Sequence, residues 1–221
     1  MLRSVLPLAA LLVAIAAPPA WAGARVDLSA GQLRRIERNE ILTRIEETPE
    51  PVKTVTSIGL VRHPARDVYL LMTDFKNYAR IYNSIEKAEV EPGGGRVILS
   101  HYKVGVPWPL EARTVTTRTW VDPDRHAFRW ERVKGTLREY AGELLAVPVS
   151  DGRCIVFYSA KVDPGYDWLP SWFVTWGQTY VLPSIVRAIR DTLGKRVGPY
   201  WEAGVVRPAF SQEPPDRAAG N

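Results

Sequence analysis

The side chains that most often carry catalysis are sparse in this sequence, and their spacing forms none of the familiar catalytic motifs. The three histidines, His63, His101 and His126, fall on a predicted helix start, a strand and a turn, without the HxxxH or HExxH spacing of a metal site. No Gly-x-Ser-x-Gly elbow is present, and the glycines at 93–95 lie between predicted strands instead of before a helix. The only cysteine, Cys154, lies in an alternating apolar stretch, which predicts a buried and inert thiol. The residues therefore predict no metal, no cofactor and no catalytic residue.

The elements that must position any functional side chain follow a simple order, in which one long helix comes after a series of strands. Short turns between the strands favour antiparallel pairing. One sheet followed by one long helix buries itself by curling around that helix, which leaves an apolar cavity between them. We therefore expect an α+β fold. In chain order, the pattern predicts a helix from Leu28 to about Glu40, strands at 41–45 and 52–61, two short helices ending at about Met72 and Ile81, strands at 85–91, 96–104, 112–121, 127–134, 137–147 and 153–162, and a helix from about Pro170 to Gly194.

Alternation along the strands assigns one side of each strand to the interior. Phe128 and Trp130 share a side, and Arg132 lies on that same side, which is unusual for a charged residue. Ordinary core packing and a ligand cavity both account for such a pattern. The other residues expected to face inward are Tyr140, Gly142, Leu144 and Ala146, then Val156, Tyr158, Ala160 and Val162, and, at helical spacing, Trp176, Gly177, Tyr180 and Ser184.

The first residues have the pattern of a secretory signal. Arg3 precedes an apolar run at 5–17, and the small residues at the ends of 20–22 fit a cleavage site. The run is shorter than the roughly 20 residues that a membrane-spanning helix needs. We therefore expect residues 1–22 to be a signal peptide and the protein to be exported, with the bacterial periplasm as its destination.

The formal net charge of +5 is spread along the chain. Neither a basic stripe nor a recognition helix is visible, so we expect no nucleic-acid partner. Mild basicity is consistent with weak contact with anionic surfaces, and solubility explains it equally well.

Three stretches carry a resemblance to a known family. The stretch at 63–78, His-Pro-Ala-Arg-Asp-Val-Tyr-Leu-Leu-Met-Thr-Asp-Phe-Lys-Asn-Tyr, resembles the opening helices of the START-like (SRPBCC, polyketide cyclase/dehydrase-type) superfamily. The stretch at 106–113, Val-Pro-Trp-Pro-Leu-Glu-Ala-Arg, resembles a segment of START lipid-transfer domains in which Arg-Asp ends the pattern, and Thr114 replaces the Asp here. The stretch at 162–170 resembles the close of the same family.

The resemblance implies a helix-grip fold over residues 52–200, in which a curved antiparallel sheet grips a long C-terminal helix around a hydrophobic cavity. Members of the superfamily bind or carry lipids, sterols, quinones and polyketides, and a minority are enzymes. We place an N-terminal helix and a lead-in strand at 23–51 before this domain, and a disordered tail at 201–221 after it.

The resemblance also turns the inward-facing residues into candidate ligand contacts. Arg113 matches the Arg of the lipid-transfer motif. We expect Arg113 or Arg132 to meet a polar head group or a keto oxygen of the ligand, with a salt bridge to a carboxylate as the alternative. The full candidate set is Arg113, Phe128, Trp130, Arg132, Tyr140, Leu144, Val156, Tyr158, Trp176 and Tyr180.

A second aromatic group lies near loops and the start of the long helix: Trp108, Trp168, Trp172 and Phe173. Tryptophan favours membrane–water interfaces, because its ring is apolar and its N–H stays hydrated. We expect some of these residues to line the cavity mouth and to touch a bilayer transiently. The alternative is that they pack the base of the helix against the sheet.

Three functions remain open at this point. The first is an exported binding or carrier protein for a hydrophobic small molecule or lipid, with lipid, sterol and quinone as candidates. The second is a cyclase/aromatase-like enzyme, in which Tyr140, Tyr158, His101 and Arg113 orient and deprotonate a polyketide. The third is a protein-interaction module whose own side chains fill its interior. The export signal favours the carrier.

Overall fold

The structure, a computed structural model, describes residues 27–93, 95–105, 111–150 and 152–195, apart from the side chain of Trp176. Its helices are α1 (Ala30–Glu37), α2 (Ala65–Met72), α3 (Tyr78–Ile81) and α4 (Ser171–Lys195), with a single 3-10 turn at Phe75–Asn77 before α3. Its strands are β1 (Ile41–Ile45), β2 (Val55–Val61), β3 (Ile85–Val90), β4 (Val97–Val104), β5 (Arg113–Asp122), β6 (Ala127–Gly135), β7 (Glu139–Ser150) and β8 (Arg153–Asp163). The expected signal peptide, the expected tail and Trp108 lie outside the described residues.

The eight strands form one antiparallel sheet in the order β1-β2-β8-β7-β6-β5-β4-β3. Consecutive strands from β3 to β8 are neighbours because their connections are short, and β8 then pairs with β2. The sheet is curved and open, with β1 and β3 at its edges. The predicted α+β helix-grip fold is confirmed.

The inner face of the sheet packs against α4 and α2 to form the main core. The buried stripe of α4 has apolar residues at spacings of three and four, which places them on one side of the helix. Arg190 ties this end of α4 to the sheet, because its guanidinium donates to the Leu60 carbonyl at 2.8 Å and to the Asn39 carbonyl at 3.0 Å. The stripe consists of Leu182, Ile185, Val186, Ile189 and Leu193.

The outer face of the sheet carries a second, smaller core under α1. This helix begins with a capping box, in which the Ser29 hydroxyl accepts from the Gln32 backbone N–H and the Gln32 side chain accepts from the Ser29 N–H. Ile36 of α1 is buried, and it belongs to a cluster that the strands complete. The cluster contains Ile36, Leu42, Ile58, Leu60, Ile155 and Phe157.

The inward face of α4 differs from the prediction. We expected Tyr180 and Ser184 to face the interior, but both are exposed, and Tyr180 exposes 64% of its area. Thr175 and Gln178 are buried instead, because they continue the apolar stripe of the C-terminal half at helical spacing. The side chain of Trp176 lies outside the described atoms. Large aromatic side chains were thus a poorer guide to the buried face than the spacing of the aliphatic ones.

Candidate functional site

A small cavity lies between the inner face of the sheet and the short helical segments. Its volume is about 20 Å³, which holds little more than one water molecule. Strands β4 to β8 supply most of its wall, and the 3-10 turn and α3 supply one residue each. The lining residues are Phe75, Tyr78, Tyr102, Thr117, Thr119, Phe128, Trp130, Tyr140 and Tyr158.

Aromatic rings fill most of the space that we expected to be open. The Trp130 ring lies 5.3 Å from the Tyr158 ring, 5.7 Å from the Phe128 ring and 5.8 Å from the Tyr140 ring, measured between centroids. These distances are within the range of attractive aromatic pairs. Among the described residues, the rings that line this cavity also contact one another, so in this conformation it is much smaller than the cavity that we expected.

Hydroxyl groups give the cavity its polar character. Tyr158 donates a hydrogen bond to the Tyr140 hydroxyl, and the Tyr78 hydroxyl donates to the Met72 carbonyl at 2.5 Å. Burial raises the pKa of Tyr140 to about 12, although the hydrogen bond from Tyr158 opposes the shift. Burial also raises the pKa values of Tyr78 and Tyr102. At neutral pH these groups are all protonated, so they can donate hydrogen bonds but cannot act as bases.

Trp130, which lines the cavity, carries an unused hydrogen-bond donor. Its side chain is buried, and within the described residues its indole N–H has no hydrogen-bond partner. A buried donor without a partner is rare and unfavourable. An oxygen atom in the cavity, from a ligand or from a water molecule, would satisfy it.

The structure brings together only part of the predicted ligand set. Phe128, Trp130, Tyr140 and Tyr158 line the cavity. Leu144 and Val156 are fully buried in the main core and do not line the cavity. Tyr180 points to solvent, and the side chain of Trp176 is not described.

The two candidate arginines lie elsewhere. The Arg113 guanidinium lies 3.7 Å from the centroid of the Tyr166 ring, and the Arg132 guanidinium donates to the Gly135 carbonyl at 2.9 Å. Neither side chain lines the cavity, and neither has a carboxylate partner among the described residues. Arg113 therefore stacks on an aromatic ring instead of forming the salt bridge that was the alternative.

Sequence reasoning missed five of the nine residues that line the cavity. Phe75 and Tyr78 are three residues apart, a spacing that brings side chains together on short helical turns. Tyr102, Thr117 and Thr119 lie on the inner faces of β4 and β5. Alternation with buried Ile98, Val115 and Val121 was the signal that would have placed them there. We assigned faces only to the three later strands.

The other reactive groups lie away from the cavity. His101 is on the outer face, where its Nδ1 pairs with the Thr116 hydroxyl and its Nε2 with a Glu91 carboxylate oxygen, both at 2.8 Å. Cys154 is fully buried, as expected from its strand. In the described ranges, no group of three or more His, Cys, Asp or Glu side chains is placed to hold a metal ion.

The remaining aromatic residues form part of the surface. Trp168 and Trp172 expose 67% and 69% of their area, and Phe173 exposes 39%. The large exposed areas of Trp168 and Trp172 favour an exposed role for these two residues over packing of the base of α4 against the sheet. No helix in the described parts of the chain is both long and apolar enough to cross a membrane.

The fold and the cavity together define a helix-grip protein with an aromatic interior. The family described as polyketide cyclase / dehydrase and lipid transport matches residues 52–197. The chain belongs to this family. No curated protein matches the sequence significantly.

Several solved structures share the fold at low sequence identity. A STAR-related lipid transfer protein from Xanthomonas axonopodis is 20% identical, over 70% of this chain and 93% of that one, with a TM-score of 0.59. The Zhui aromatase/cyclase from Streptomyces sp. R1128 is 20% identical, over 67% of this chain and 97% of that one, with a TM-score of 0.55. Human STARD10 is 15% identical, over 74% of this chain and 72% of that one, with a TM-score of 0.63. At these identities the likeness establishes the fold alone.

Proposed function

We propose that this protein is an exported binding or carrier protein for a hydrophobic ligand that bears at least one oxygen atom, such as a lipid, a sterol or a quinone. The observation that carries the proposal is the unpartnered Trp130 N–H at a cavity otherwise lined by aromatic rings and hydroxyls. Apolar walls with a few polar groups are typical of ligand sites, in which the polar groups orient the ligand. The ligand oxygen accepts from Trp130, and its apolar part lies among the rings.

A ligand larger than one water molecule needs more space, and the N-terminal half of α4 is the element best able to provide it. Its hydrogen bonds to β8 and to the segment just before β2 include three between described residues. The Lys53 N–H donates to the Thr175 hydroxyl at 3.3 Å, the Gln178 amide donates to the Lys53 carbonyl at 3.3 Å, and the Val162 N–H donates to the Gln178 amide oxygen at 3.1 Å.

Such contacts exchange readily with water, so breaking them has a small net free-energy cost of about 1 kcal/mol each. The C-terminal half of α4 is different, because it buries the aliphatic stripe and Arg190 ties it to the sheet. Gly177 and Pro183 lie in and just after the weakly held half, where they lower the cost of bending the helix. Outward movement of this half enlarges the cavity while the fold persists.

The test combines native purification with one pair of matched variants. Mass spectrometry of extracts from protein isolated without denaturation identifies the ligand, and a binding titration with that ligand follows. Trp130→Phe keeps a ring but removes the N–H, and we expect it to weaken binding about 5- to 20-fold, the value of one hydrogen bond. Trp120→Phe is the control, because Trp120 lies on the outer face against Arg129.

Each result bears on a different part of the proposal. Equal affinities of wild type and Trp130→Phe would refute the assigned contact. Protein that carries no hydrophobic compound and binds none of the three ligand classes would refute the function. A loss that is equal in the Trp130 and Trp120 variants would show a general effect of tryptophan removal and no specific contact.

Export is part of the same proposal, and the pattern at 1–22 supports it. The mature protein then begins at Gly23 and resides in the periplasm, where it exchanges its ligand in transient contact with a bilayer. Intact-mass measurement of protein from the periplasmic fraction checks this directly. A mass that includes residues 1–22, or recovery only from the cytoplasm, would contradict it.

The second candidate function is a cyclase/aromatase-like enzyme, which the hydrogen-bonded pair Tyr140 and Tyr158 favours, since paired phenols can orient a keto group. The raised pKa of Tyr140 argues against it as a base, and His101 lies on the opposite face of the sheet. Incubation with an aromatic polyketide precursor and product analysis decides between the two. Turnover that Tyr158→Phe abolishes would favour the enzyme, and binding without turnover favours the carrier.

A further inference from the structure

The turn between α1 and β1 has the geometry of a Schellman motif. The Glu40 N–H donates to the Arg35 carbonyl at 3.1 Å, and the Asn39 N–H donates to the Ile36 carbonyl at 2.9 Å. Asn39 takes the left-handed conformation of this motif, with a φ of 72°, which asparagine adopts more readily than most residues do. The turn thus satisfies carbonyls at the end of α1, and the Asn39 carbonyl accepts from a different element.

That donor is Arg190 in the C-terminal half of α4. Its Nη1 donates to the Asn39 carbonyl at 3.0 Å, and its Nε donates to the Leu60 carbonyl at 2.8 Å. The ladder between β1 and β2 ends at the pair Ile41 and Gly59, so Leu60 lies just past its last pair. Arg190 therefore joins three elements at the end of this ladder, because it bonds one carbonyl of β2 and one carbonyl of the turn before β1.

The close approach of α4 to β2 at this point depends on Gly59. A Cβ atom at position 59 would lie 2.8 Å from Val186 Cγ1 and 3.0 Å from Arg190 Nη2, and both distances are too short for an ordinary contact. Because the side chain is missing, Val186 packs fully buried, and the guanidinium of Arg190 reaches the two carbonyls.

This position is unfavourable for a charged side chain unless hydrogen bonds compensate. Burial, and then repulsion from Arg62 and Arg187, lower the pKa of Arg190, and the attraction of Asp191 opposes the shift. Among the described residues, Arg190 donates to the two main-chain carbonyls and to no carboxylate. Hydrogen bonds from a charged donor are stronger than neutral ones, so these two bonds offset the cost of its burial.

From these contacts we propose that residues 27–45, which we call the N-terminal brace, hold the C-terminal half of α4 closed through Arg190, so that cavity opening is confined to the N-terminal half. The brace is itself held on both faces of the sheet edge. Its strand β1 pairs with five residues of β2, and Ile36 of α1 is buried in the outer core. Arg190 does not line the cavity, so it is a positioning residue.

The two halves of α4 can behave differently because Pro183 lies between them. Proline has no N–H to donate inside a helix, which weakens the connection between the turns on its two sides. The N-terminal half is bonded through the uncharged side chains of Thr175 and Gln178, whereas the C-terminal half has the charged Arg190. The inference deepens the proposed function and rests on it for its purpose.

The first test is hydrogen exchange of the full mature chain without any ligand. Arg190→Met keeps an unbranched side chain and a good helix former but removes both hydrogen bonds. We expect the amides at 185–193 to exchange at least about tenfold faster, since a hydrogen bond to a charged group contributes that much or more. The amides of β6, β7 and β8 should exchange as in wild type.

Arg187→Met is the matched control for this substitution. Arg187 is exposed, lies one turn before Arg190 on the same helix, and has no hydrogen bond among the described residues. The substitution removes the same charge from α4, so it separates the loss of the two hydrogen bonds from the loss of a positive charge. Its exchange at 185–193 should match that of wild type.

A second pair of variants changes the brace instead of α4. Asn39 is exposed, and Asn39→Ala strains its left-handed conformation, whereas Asn39→Gly adopts this conformation freely. We expect the alanine to speed exchange of the α4 amides at 185–193 about 5-fold, the effect of one strained residue, and the glycine to leave it unchanged. A purely local role of the turn would confine the effect of the alanine to α1 and β1.

A second measurement relates the brace to cavity opening. The uncharged fluorescent probe N-phenyl-1-naphthylamine is bound to each protein, and its release is followed after rapid dilution. Loosening of the C-terminal half adds a second way for the cavity to open. Release should therefore be several-fold faster from Arg190→Met than from wild type or Arg187→Met.

Four outcomes would overturn the inference. The exchange of α4 could be unchanged in Arg190→Met, or it could rise equally in α4 and in β6 to β8, which would show a general loss of stability. Asn39→Ala could affect α1 and β1 alone. Probe release could stay unchanged in a variant whose α4 exchanges faster. A probe that binds none of the proteins would instead count against the proposed function, and the exchange data would still decide whether the brace holds α4.

Discussion

The indole ring of Trp130 lies over Gly142, its partner across the β6–β7 ladder. A Cβ atom at position 142 would overlap both this ring and the Ser159 carbonyl oxygen. Glycine is therefore needed at position 142 to let the ring lie flat against the sheet. The position of this ring brings Trp130 within contact distance of Tyr140 and Tyr158, so one missing side chain shapes the whole cavity.

The first prediction concerns Gly142. Gly142→Ala should lower the free energy of unfolding by about 1–3 kcal/mol, the usual effect of overpacking a core. It should also weaken ligand binding, because the Trp130 ring must shift. Denaturant unfolding and the binding titration measure the two effects.

Gly177→Ala is the control for that substitution. Outside its own helix backbone and its two chain neighbours, no described atom lies within 4 Å of a Cβ at position 177, and Gly177 is inside a helix. The alanine should stabilise the protein by up to about 1 kcal/mol, since it lowers the entropy of the unfolded chain. A Gly142→Ala protein as stable as wild type would contradict the packing described for Trp130.

The stability of the protein at alkaline pH should reveal the raised pKa values of its buried tyrosines. The pKa of Tyr140 is raised from 10.0 to about 12, so the unfolded chain releases this proton first as the pH rises. The stabilisation is complete below pH 10 and is lost as the pH rises toward about 12. Each such group contributes a slope of up to about 1.4 kcal/mol per pH unit.

The corresponding variant is Tyr140→Phe, with unfolding free energies measured from pH 8 to pH 11.5. Its dependence on pH above 10 should be shallower than that of wild type by the slope of one group. The difference in unfolding free energy between the two proteins at pH 8 serves as the baseline, because it contains the effect of losing the hydrogen bond from Tyr158. Parallel curves for the two proteins would show that Tyr140 ionises normally.

Glu143 provides a prediction about stability at acidic pH. We expected this residue to face outward, and it does, but it is only partly exposed. Burial, and then repulsion from Glu46, raise its pKa above the usual 4.5, against the attraction of Arg125 and Arg129. The folded protein therefore holds this proton more tightly than the unfolded chain does. The associated stability is present at low pH and is lost as the pH rises through the raised pKa.

Glu143→Gln should accordingly be more stable than wild type at pH 7. This difference in unfolding free energy should disappear near pH 4, where Glu143 of the wild type becomes protonated and is neutral like the glutamine. Urea unfolding at the two pH values measures the difference. A variant that is less stable at pH 7 would mean that attraction to the arginines outweighs the effect of burial.

Cys154 should be unreactive in the folded protein. Burial first, and the nearby charge of Asp67 second, raise the pKa of its thiol to about 12, and the thiolate is the reactive form. A thiol reagent at pH 8 should modify it only in denaturant, along the same transition that circular dichroism follows. Rapid modification of native protein would contradict the burial of β8.

Most of the fold could be predicted because its signals are local. The alternating apolar residues of β6 and β8 and the turns between strands determine strand position and antiparallel order, and both depend on residues close in the chain. Pairing of β8 with β2 is not local, since about a hundred residues separate them. No property of either strand predicted this pairing, which the structure shows.

The candidate site was only partly predictable for a related reason. Phe128 and Trp130 were found because one strand carries both. Tyr102 and Thr117 lie on different strands, and polar residues on an inner face look like surface residues in a sequence. The wrong face of α4 arose in the same way, because an exposed aromatic residue such as Tyr180 resembles a core residue until the position of the sheet is known.

By itself, the sequence determined the kinds and order of the elements, the family, the buried cysteine and the aromatic character of the interior, since these follow from short-range patterns of apolar residues. Only the tertiary structure decided how much space the interior leaves, which donor lacks a partner and which side of α4 meets solvent. Those properties depend on distances between residues far apart in the chain. The Trp130 ring against Gly142 is an example, because neither residue shows alone that the other fills its space.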